Sequence, residues 1–415
     1  MPKDMVKETK TFVLAFLKWL LVAGVIGAAG GVVGLLFHVA VEYATVLRAA
    51  HPWLLWLLPV GGAVIAGLYS LTKMEHKNTN AIIDSIHFGD RVPIALVPVI
   101  FLATTITHLC GGSAGREGAA LQIGGGIGCN IGRAFRLDEK DMRLATLCGM
   151  SAVFSALFGT PITAAFFALE VISVGVLYYS GLVPCIASAL AAYAITRLCG
   201  VEPTHFVVSI PALSAAVLLR VAVLAILCAV MSMVFCVVMH GTEQLAAKKL
   251  PNRYLRIMLG GALLVGLTYL VGTTDYNGAG MGVIAAAIEQ GTARPTAFFW
   301  KLAFTAVTLG FGFKGGEVVP TFFIGATLGC VVGPLLGIPA GFAAAVGLIA
   351  VFCGAVNCPV ASILLALELF GGDGIICFAA ASGISYMLSG YFGLYSSQKI
   401  MYSKIRAEYI NIQAK

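Results

Sequence analysis

Charge is scarce in this chain. Asp, Glu, Lys and Arg make up 11% of its 415 residues, against about 25% in a soluble globular protein. Hydrophobic residues make up 59%, and the mean hydropathy is +0.95. That balance excludes a soluble domain. The apolar runs lack the alternating ten-residue pattern of a membrane barrel, so the spans are helical. The 11 cysteines are scattered through apolar sequence with no CxxC and no His/Cys ligand spacing. They read as small hydrophobes, with no metal site and no disulfide framework expected.

What is present is a series of apolar runs of spanning length, for example 11–38, 52–71, 211–240 and 257–271. The first follows a lysine-bearing leader (Lys3, Lys7, Lys10) and ends in no clear small-residue cleavage site, so it is expected to stay as the first helix. The formal net charge of +7 falls mostly in short basic clusters: the leader, 73–77, 133–143, 248–256 and 399–406. Positive-inside topology explains these more simply than nucleic-acid binding. All five are placed on the cytoplasmic side, and both termini with them.

Deep in this apolar sequence lies Gly111-Gly112-Ser113-Ala114-Gly115-Arg116-Glu117-Gly118, continuing through Gln122-Ile123-Gly124-Gly125-Gly126-Ile127-Gly128. Glycines let backbone N–H groups approach a ligand, and a helix starting just after them offers free amides and a positive dipole end. Ionisable residues at membrane depth mark an ion or proton pathway. The plainer alternative is a helix-packing turn with a surface Arg–Glu pair. A helical segment is expected over 81–87 after the polar break 73–80, another stretch over 93–110 leads into the motif, and 133–143 reads as a loop between spans. The apolar stretch 144–169 is broken at Gly159-Thr160-Pro161, which membrane depth tolerates only in a buried or cavity-lining segment.

The second half repeats the first. The stretch from Ala152-Val153-Phe154 through Pro161 to Ala168-Leu169-Glu170 recurs as Ala350-Val351-Phe352 through Pro359 to Ala366-Leu367-Glu368. Upstream, Gly115-Arg116-Glu117 finds a counterpart in Gly315-Gly316-Glu317. Repeats broken by Gly and Pro at matching positions are a signature of secondary transporters. A single transmembrane domain over 1–415 is expected, with inverted halves at about 11–200 and 211–400 and no cytoplasmic regulatory domain.

These residues resemble the chloride channel/transporter (CLC) superfamily. Gly115-Arg116-Glu117-Gly118 with Gln122-Ile123-Gly124 is similar to its signature, supported by Gly315-Gly316-Glu317-Val318-Val319-Pro320 and Gly393-Leu394-Tyr395-Ser396, in matching order over nearly the whole chain. The resemblance implies an all-α membrane bundle of two inverted repeats with broken helices, a homodimer with one anion path per subunit, and three helix N-termini aimed at a central anion. Chloride-type members have a Gly-Ser-Gly-Ile-Pro turn where this chain reads Asn78-Thr79-Asn80-Ala81-Ile82. They place aliphatic and aromatic residues where it has Glu317. Chloride/proton antiporters carry an internal proton-relay Glu where it has Val171. Together these features resemble the fluoride/proton antiporter branch, although that branch favours a polar residue at position 319, which here is Val319.

Within that resemblance, Glu117 can mimic the transported anion and free its site on protonation, which couples opposite fluxes. An Arg116 salt bridge is disfavoured because helix neighbours at i, i+1 do not face each other; Arg116 is expected to tie the turn to other backbone carbonyls. Glu317 would be a second proton-handling group, with Lys314 as its alternative partner. Asn78 and Thr79 could donate to an anion or cap the 81–87 helix. Gly118, Val318 and Val319 complete the anion site, the valines through their amides. Tyr395 matches the family's pore tyrosine, where composition alone suggests an interfacial anchor. Glu170 and Glu368 read as helix-end or interface residues, and His108 as a satisfied core histidine.

The expected activity is fluoride export in exchange for protons from a bacterial inner membrane. A chloride/proton antiporter and a passive anion channel of the same fold are the alternatives. An intramembrane enzyme using Glu117 or Glu317 lacks a nucleophile, metal-ligand set or cofactor motif, so neither catalysis nor a cofactor is expected.

Overall fold

Proline and glycine cut the apolar sequence into short pieces, and the cuts fall at equivalent places in two halves. A computed structural model describes residues 3–75 and 77–415. Met1, Pro2 and His76 (the last inside the basic break 73–77) lie outside the described residues, as does the Lys3 side chain. The first eight helices are α1 (Lys3–Ala50), α2 (Leu58–Leu71), α3 (Thr79–Phe88), α4 (Leu96–Cys110), α5 (Glu117–Ala134), α6 (Glu139–Phe158), α7 (Pro161–Glu170) and α8 (Leu182–Leu198). The second eight are α9 (Ala215–Lys249), α10 (Arg253–Val271), α11 (Met281–Glu289), α12 (Ala297–Gly310), α13 (Val318–Val332), α14 (Ala340–Val356), α15 (Pro359–Phe370) and α16 (Ile375–Leu388). Each helix of the first set has its length counterpart eight places on; the short α3 and α7, of 10 residues each, answer to α11 and α15 of 9 and 12. None of these four is long enough to cross a bilayer, which takes roughly 20 residues.

The breaks have local causes. Gly159, in the left-handed conformation (φ 70°), ends α6, and Pro161 starts α7. Asn357 (φ 58°) and Pro359 do the same between α14 and α15. The expected loop 133–143 is much shorter than its charge suggests. Helix α5 runs to Ala134, and α6 starts at Glu139 under an Asp138 side chain that accepts from the Asp141 N–H at 2.8 Å. Charge marks the ends of these helices without unwinding them.

The helices flanking the central motif pack backbone against backbone. A Cβ built on Gly124 or Gly128 of α5 would overlap the carbonyls of Gly149 and Ala145 in α6. In the second half, Gly325 and Gly329 of α13 meet Gly347 and Ala343 of α14 in the same way. The packing alternative weighed for the glycine run is therefore correct for its helical part, where small residues let apolar helices approach.

Two carboxylates lock the halves together. Glu368, near the end of α15, accepts from the Ile162 and Thr163 amides at the start of α7 (3.0 and 2.8 Å). Glu170, ending α7, accepts from Val360 and Ala361 at the start of α15 (3.2 and 2.7 Å). Each half thus supplies the carboxyl oxygens that satisfy the other's open helix N-terminus. Both residues are at the interface, as the repeat suggests. Truncating Glu170 to alanine strips the buried Ala361 amide and the half-buried Val360 amide of their acceptor and is expected to cost about 2 kcal/mol. Thermal unfolding of the purified Glu170→Ala protein measures this, and an unchanged midpoint would remove the clamp from the stability account.

A small sheet is absent from the sequence expectation. β1 (Ser173–Val174) pairs in parallel with β2 (Lys399–Tyr402), which pairs antiparallel with β3 (Tyr409–Gln413). It fastens the C-terminal segment to the end of α7. Ten of the 11 cysteines are buried, as small hydrophobes would be, and Cys199 is exposed.

Candidate functional site

The two glycine turns meet each other. Gly115 and Gly316 form an antiparallel bridge, N–H to carbonyl in both directions (2.7 and 2.8 Å). Each is followed by the N-cap residue of a helix, Arg116 for α5 and Glu317 for α13. This pairing corrects the repeat register by one residue. Glu317 is the structural counterpart of Arg116, and Glu117 is the counterpart of Val318. Matching letters aligned the two carboxylates; matching helix starts does not.

Glu117 is fully buried. Its Oε2 accepts from the Arg116 amide at 3.0 Å and from the Val319 amide at 3.3 Å, so one carboxylate oxygen is held by helix starts from both halves. Its Oε1 has no protein partner. The side chain folds back over Gly115, where a Cβ would strike Oε2; here glycine is required by close approach. The amides that hold the carboxylate belong to Arg116 and Val319, not to the glycines themselves. The Arg116 guanidinium turns away. One nitrogen donates to the Leu157 carbonyl (3.2 Å), the carbonyl contact expected of it, and another meets His38 Nδ1 (2.9 Å).

Two cavities flank this point. The larger, about 1060 Å³ and labelled outer for reference, is lined by Glu117, Val319, Arg116, His38 and His108 among others. The smaller, about 110 Å³ and labelled inner, gathers Asn78, Thr79, Gln122, Glu317, Lys314 and Tyr395. Four of the sequence-derived candidates therefore share one space although they span more than 300 positions of chain. Gly118 lies alongside: a Cβ there would stand 3.0 Å from Glu317 Oε2. Val318 is buried in the first turn of α13 and lines neither cavity.

The expected donors divide. Asn78 caps α3, its Oδ1 accepting from the Ala81 N–H (3.1 Å), which leaves the side-chain NH2 for the inner cavity. Thr79 is less free. Its hydroxyl points at the Gly118 carbonyl (3.4 Å) and accepts from Gln122 Nε2 (3.2 Å). Tyr395 is buried with its hydroxyl unpartnered, which sets aside the interfacial-anchor reading. Its loop is pinned by the Ser397 N–H donating to Asn80 Oδ1 (3.1 Å) and by the Leu394 N–H donating to the Ala355 carbonyl (2.9 Å). Glu317 Oε2 is buried without a partner. Lys314 instead sits over the Tyr69 ring (4.6 Å), and among the described residues no ion pair joins it to Glu317. The Lys314 pairing is thereby corrected.

His108 departs from a satisfied core residue. Nε2 contacts the Gly115 carbonyl (3.3 Å), but the buried Nδ1 has no partner and the ring lines the outer cavity. Gln122 and His38 were not singled out. Gln122 stands four residues after Gly118 on one helix face, a spacing that could have flagged it. His38 comes from α1, and nothing in the sequence links it to Arg116.

The arrangement of broken helices in two interlocked halves is shared with proteins already known. The chain is 37% identical over 397 residues to a chloride/fluoride channel protein of Pseudomonas syringae pv. tomato, covering 93% of this chain and 87% of that protein. A crystal structure of a CLC-type fluoride/proton antiporter superposes with a TM-score of 0.89 at 30% identity, over 92% of this chain and 98% of that one. A slow cyanobacterial Cl−/H+ antiporter shares the fold, with a TM-score of 0.76 at 19% identity over 89% of this chain and 94% of its own. The family model of the voltage gated chloride channels matches residues 61–390, and this protein belongs to that CLC family.

Proposed function

We propose that this protein exports fluoride in exchange for protons. The observation that carries the reading is the Glu117 carboxylate, held by amides from both halves on the wall of the outer cavity, while Glu317 of the facing glycine turn lines the inner one. Ionised, Glu117 occupies with its own oxygen a place suited to an anion. Protonated, it loses the charge that those amides and helix ends favour and yields them to fluoride. One site then serves a proton or an anion by turns, and their fluxes run in opposite directions.

Fluoride is small and strongly hydrated, so the protein must replace its water with close donors. The Arg116 and Val319 amides supply donors beside the outer cavity, and the Asn78 NH2 and Tyr395 hydroxyl supply them at the inner one. Position 319 acts through its backbone, which a valine supplies as well as a threonine. Glu317, beside Gly118 and open on the inner cavity, takes the role of the carboxylate missing at Val171 and hands protons to the inner side. The pairing of Arg253 with Glu75 joins two of the basic clusters in space, and Lys18, eight residues after the leader's last lysine, reaches Asp141 of a third, which supports their common placement on the cytoplasmic face, with both termini. We further read the chain as one domain, working as a homodimer in the lipid of a bacterial inner membrane with an anion path in each subunit.

The test is efflux from proteoliposomes with fluoride, chloride and proton movement followed together. Fluoride leaving with matched proton uptake and little chloride supports the reading. Comparable chloride exchange would overturn the fluoride assignment, and anion flux without protons would make the protein a channel. In the same assay Glu317→Gln is expected to lower coupled proton uptake by at least about tenfold while the protein keeps its melting temperature. Unchanged coupling would leave Glu317 with no part in proton transfer.

A further inference from the structure

A third cavity, of about 460 Å³, opens where α3 and α5 end and α6 begins. It lies at the opposite end of α5 from Glu117. Four arginines line it: Arg91, Arg133, Arg136 and Arg143. Only two carboxylates, Asp90 and Glu139, share the lining, and the nearby Asp141 is occupied by Lys18. Among the described residues, none of the four guanidinium groups has an ion pair or a hydrogen-bond partner, and Arg143 Nε is buried without one. Clustered guanidinium groups repel one another and call for an anion between them.

The space fits a particular anion. Its walls also include Thr146 and Met142 of α6 and Cys129 of α5, so it is a pocket between helices. Arginine forks match the oxygens of a phosphate group two at a time. The excess of two positive charges suits a phosphate better than a halide, which offers a single point to coordinate. The connection 135–138 between two helices of the membrane bundle places this pocket at the bilayer surface, where phosphodiester headgroups lie.

We propose that this pocket binds a phosphate group, carried by an anionic phospholipid headgroup or free in solution. A phosphate there ties together the ends of α3 and α5, the two helices whose opposite ends carry Asn78, Thr79, Glu117 and Gly118.

The test uses the full chain in neutral detergent, with thermal unfolding followed by tryptophan fluorescence. Phosphatidylglycerol is compared with phosphatidylcholine, and inorganic phosphate with chloride at equal ionic strength. Wild-type protein is expected to gain about 5 °C with a phosphate-bearing ligand. The triple variant Arg133→Gln, Arg136→Gln, Arg143→Gln loses this gain while melting like wild type without ligand. A gain with phosphatidylglycerol alone assigns the site to a headgroup; a gain with inorganic phosphate assigns it to the soluble ion. Lys248→Gln with Lys249→Gln, at the basic end of α9, retains the gain. No gain with either ligand, an equal gain in the triple variant, or its loss in the lysine variant overturns the proposal. Should the triple variant not fold, Arg143→Gln alone is read in its place, with a half-saturating ligand concentration at least about threefold higher expected and an unchanged one overturning the site.

Discussion

Glu117→Gln is expected to abolish coupled proton movement, lowering it by about 100-fold or more in proteoliposomes, with the fold intact. The geometry explains why the change is clean. A glutamine carbonyl oxygen can accept from the Arg116 and Val319 amides as Oε2 does now. Its NH2 then takes the place of Oε1, which has no protein partner to offend. The shape survives, and what disappears is the ability to be an anion at one moment and neutral at the next. A melting temperature within a few degrees of wild type separates this outcome from misfolding. Fluoride and proton fluxes still matched at the wild-type rate would remove Glu117 from the coupling role.

Gly124→Val is expected to have the largest effect on stability, about 3 kcal/mol or more. The new side chain would run into the Gly149 carbonyl, which is backbone and cannot rotate aside. To relieve the overlap α5 must leave α6, and α5 carries Glu117 at its first position. The matched control is Gly266→Ala in α10, where no atom lies within 4 Å of the added Cβ; it is expected to be neutral. Size-exclusion profiles and melting curves of the two variants check the pair. A Gly124→Val protein that melts with wild type would mean that the α5–α6 contact yields more easily than backbone packing allows.

Features written in local chemistry were legible before the fold. Pro161 and Pro359 announce their breaks because proline cannot continue a helix from the preceding turn. The Gly115–Gly118 turn stood out because charge is so rare around it. Asn78 was readable as a cap, since its bond to Ala81 spans three residues. What stayed hidden depends on distance along the chain. The Val319 amide lies 202 residues from the carboxylate it holds. His38 reaches Arg116 from 78 residues away. The one-residue error in register arose because two glutamates in similar turns look equivalent as letters, whereas equivalence in the fold is set by where each helix starts. The sheet escaped because β1 has only two residues and no alternation to read.

The exchange of carboxylates between α7 and α15 also bears on how the chain is made. When the first half leaves the ribosome, the Ile162 and Thr163 amides await an acceptor about 205 residues further on. Glu170 meanwhile waits without the Val360 and Ala361 amides that donate to it. Neither is satisfied until α15 has been synthesised and inserted. The first eight helices are therefore an unfinished intermediate, which water, lipid headgroups or the insertion machinery must tolerate until the chain is nearly complete. A nascent chain stalled before residue 359 should remain open to protease at the start of α7, and closure of that segment would mark the arrival of the second half.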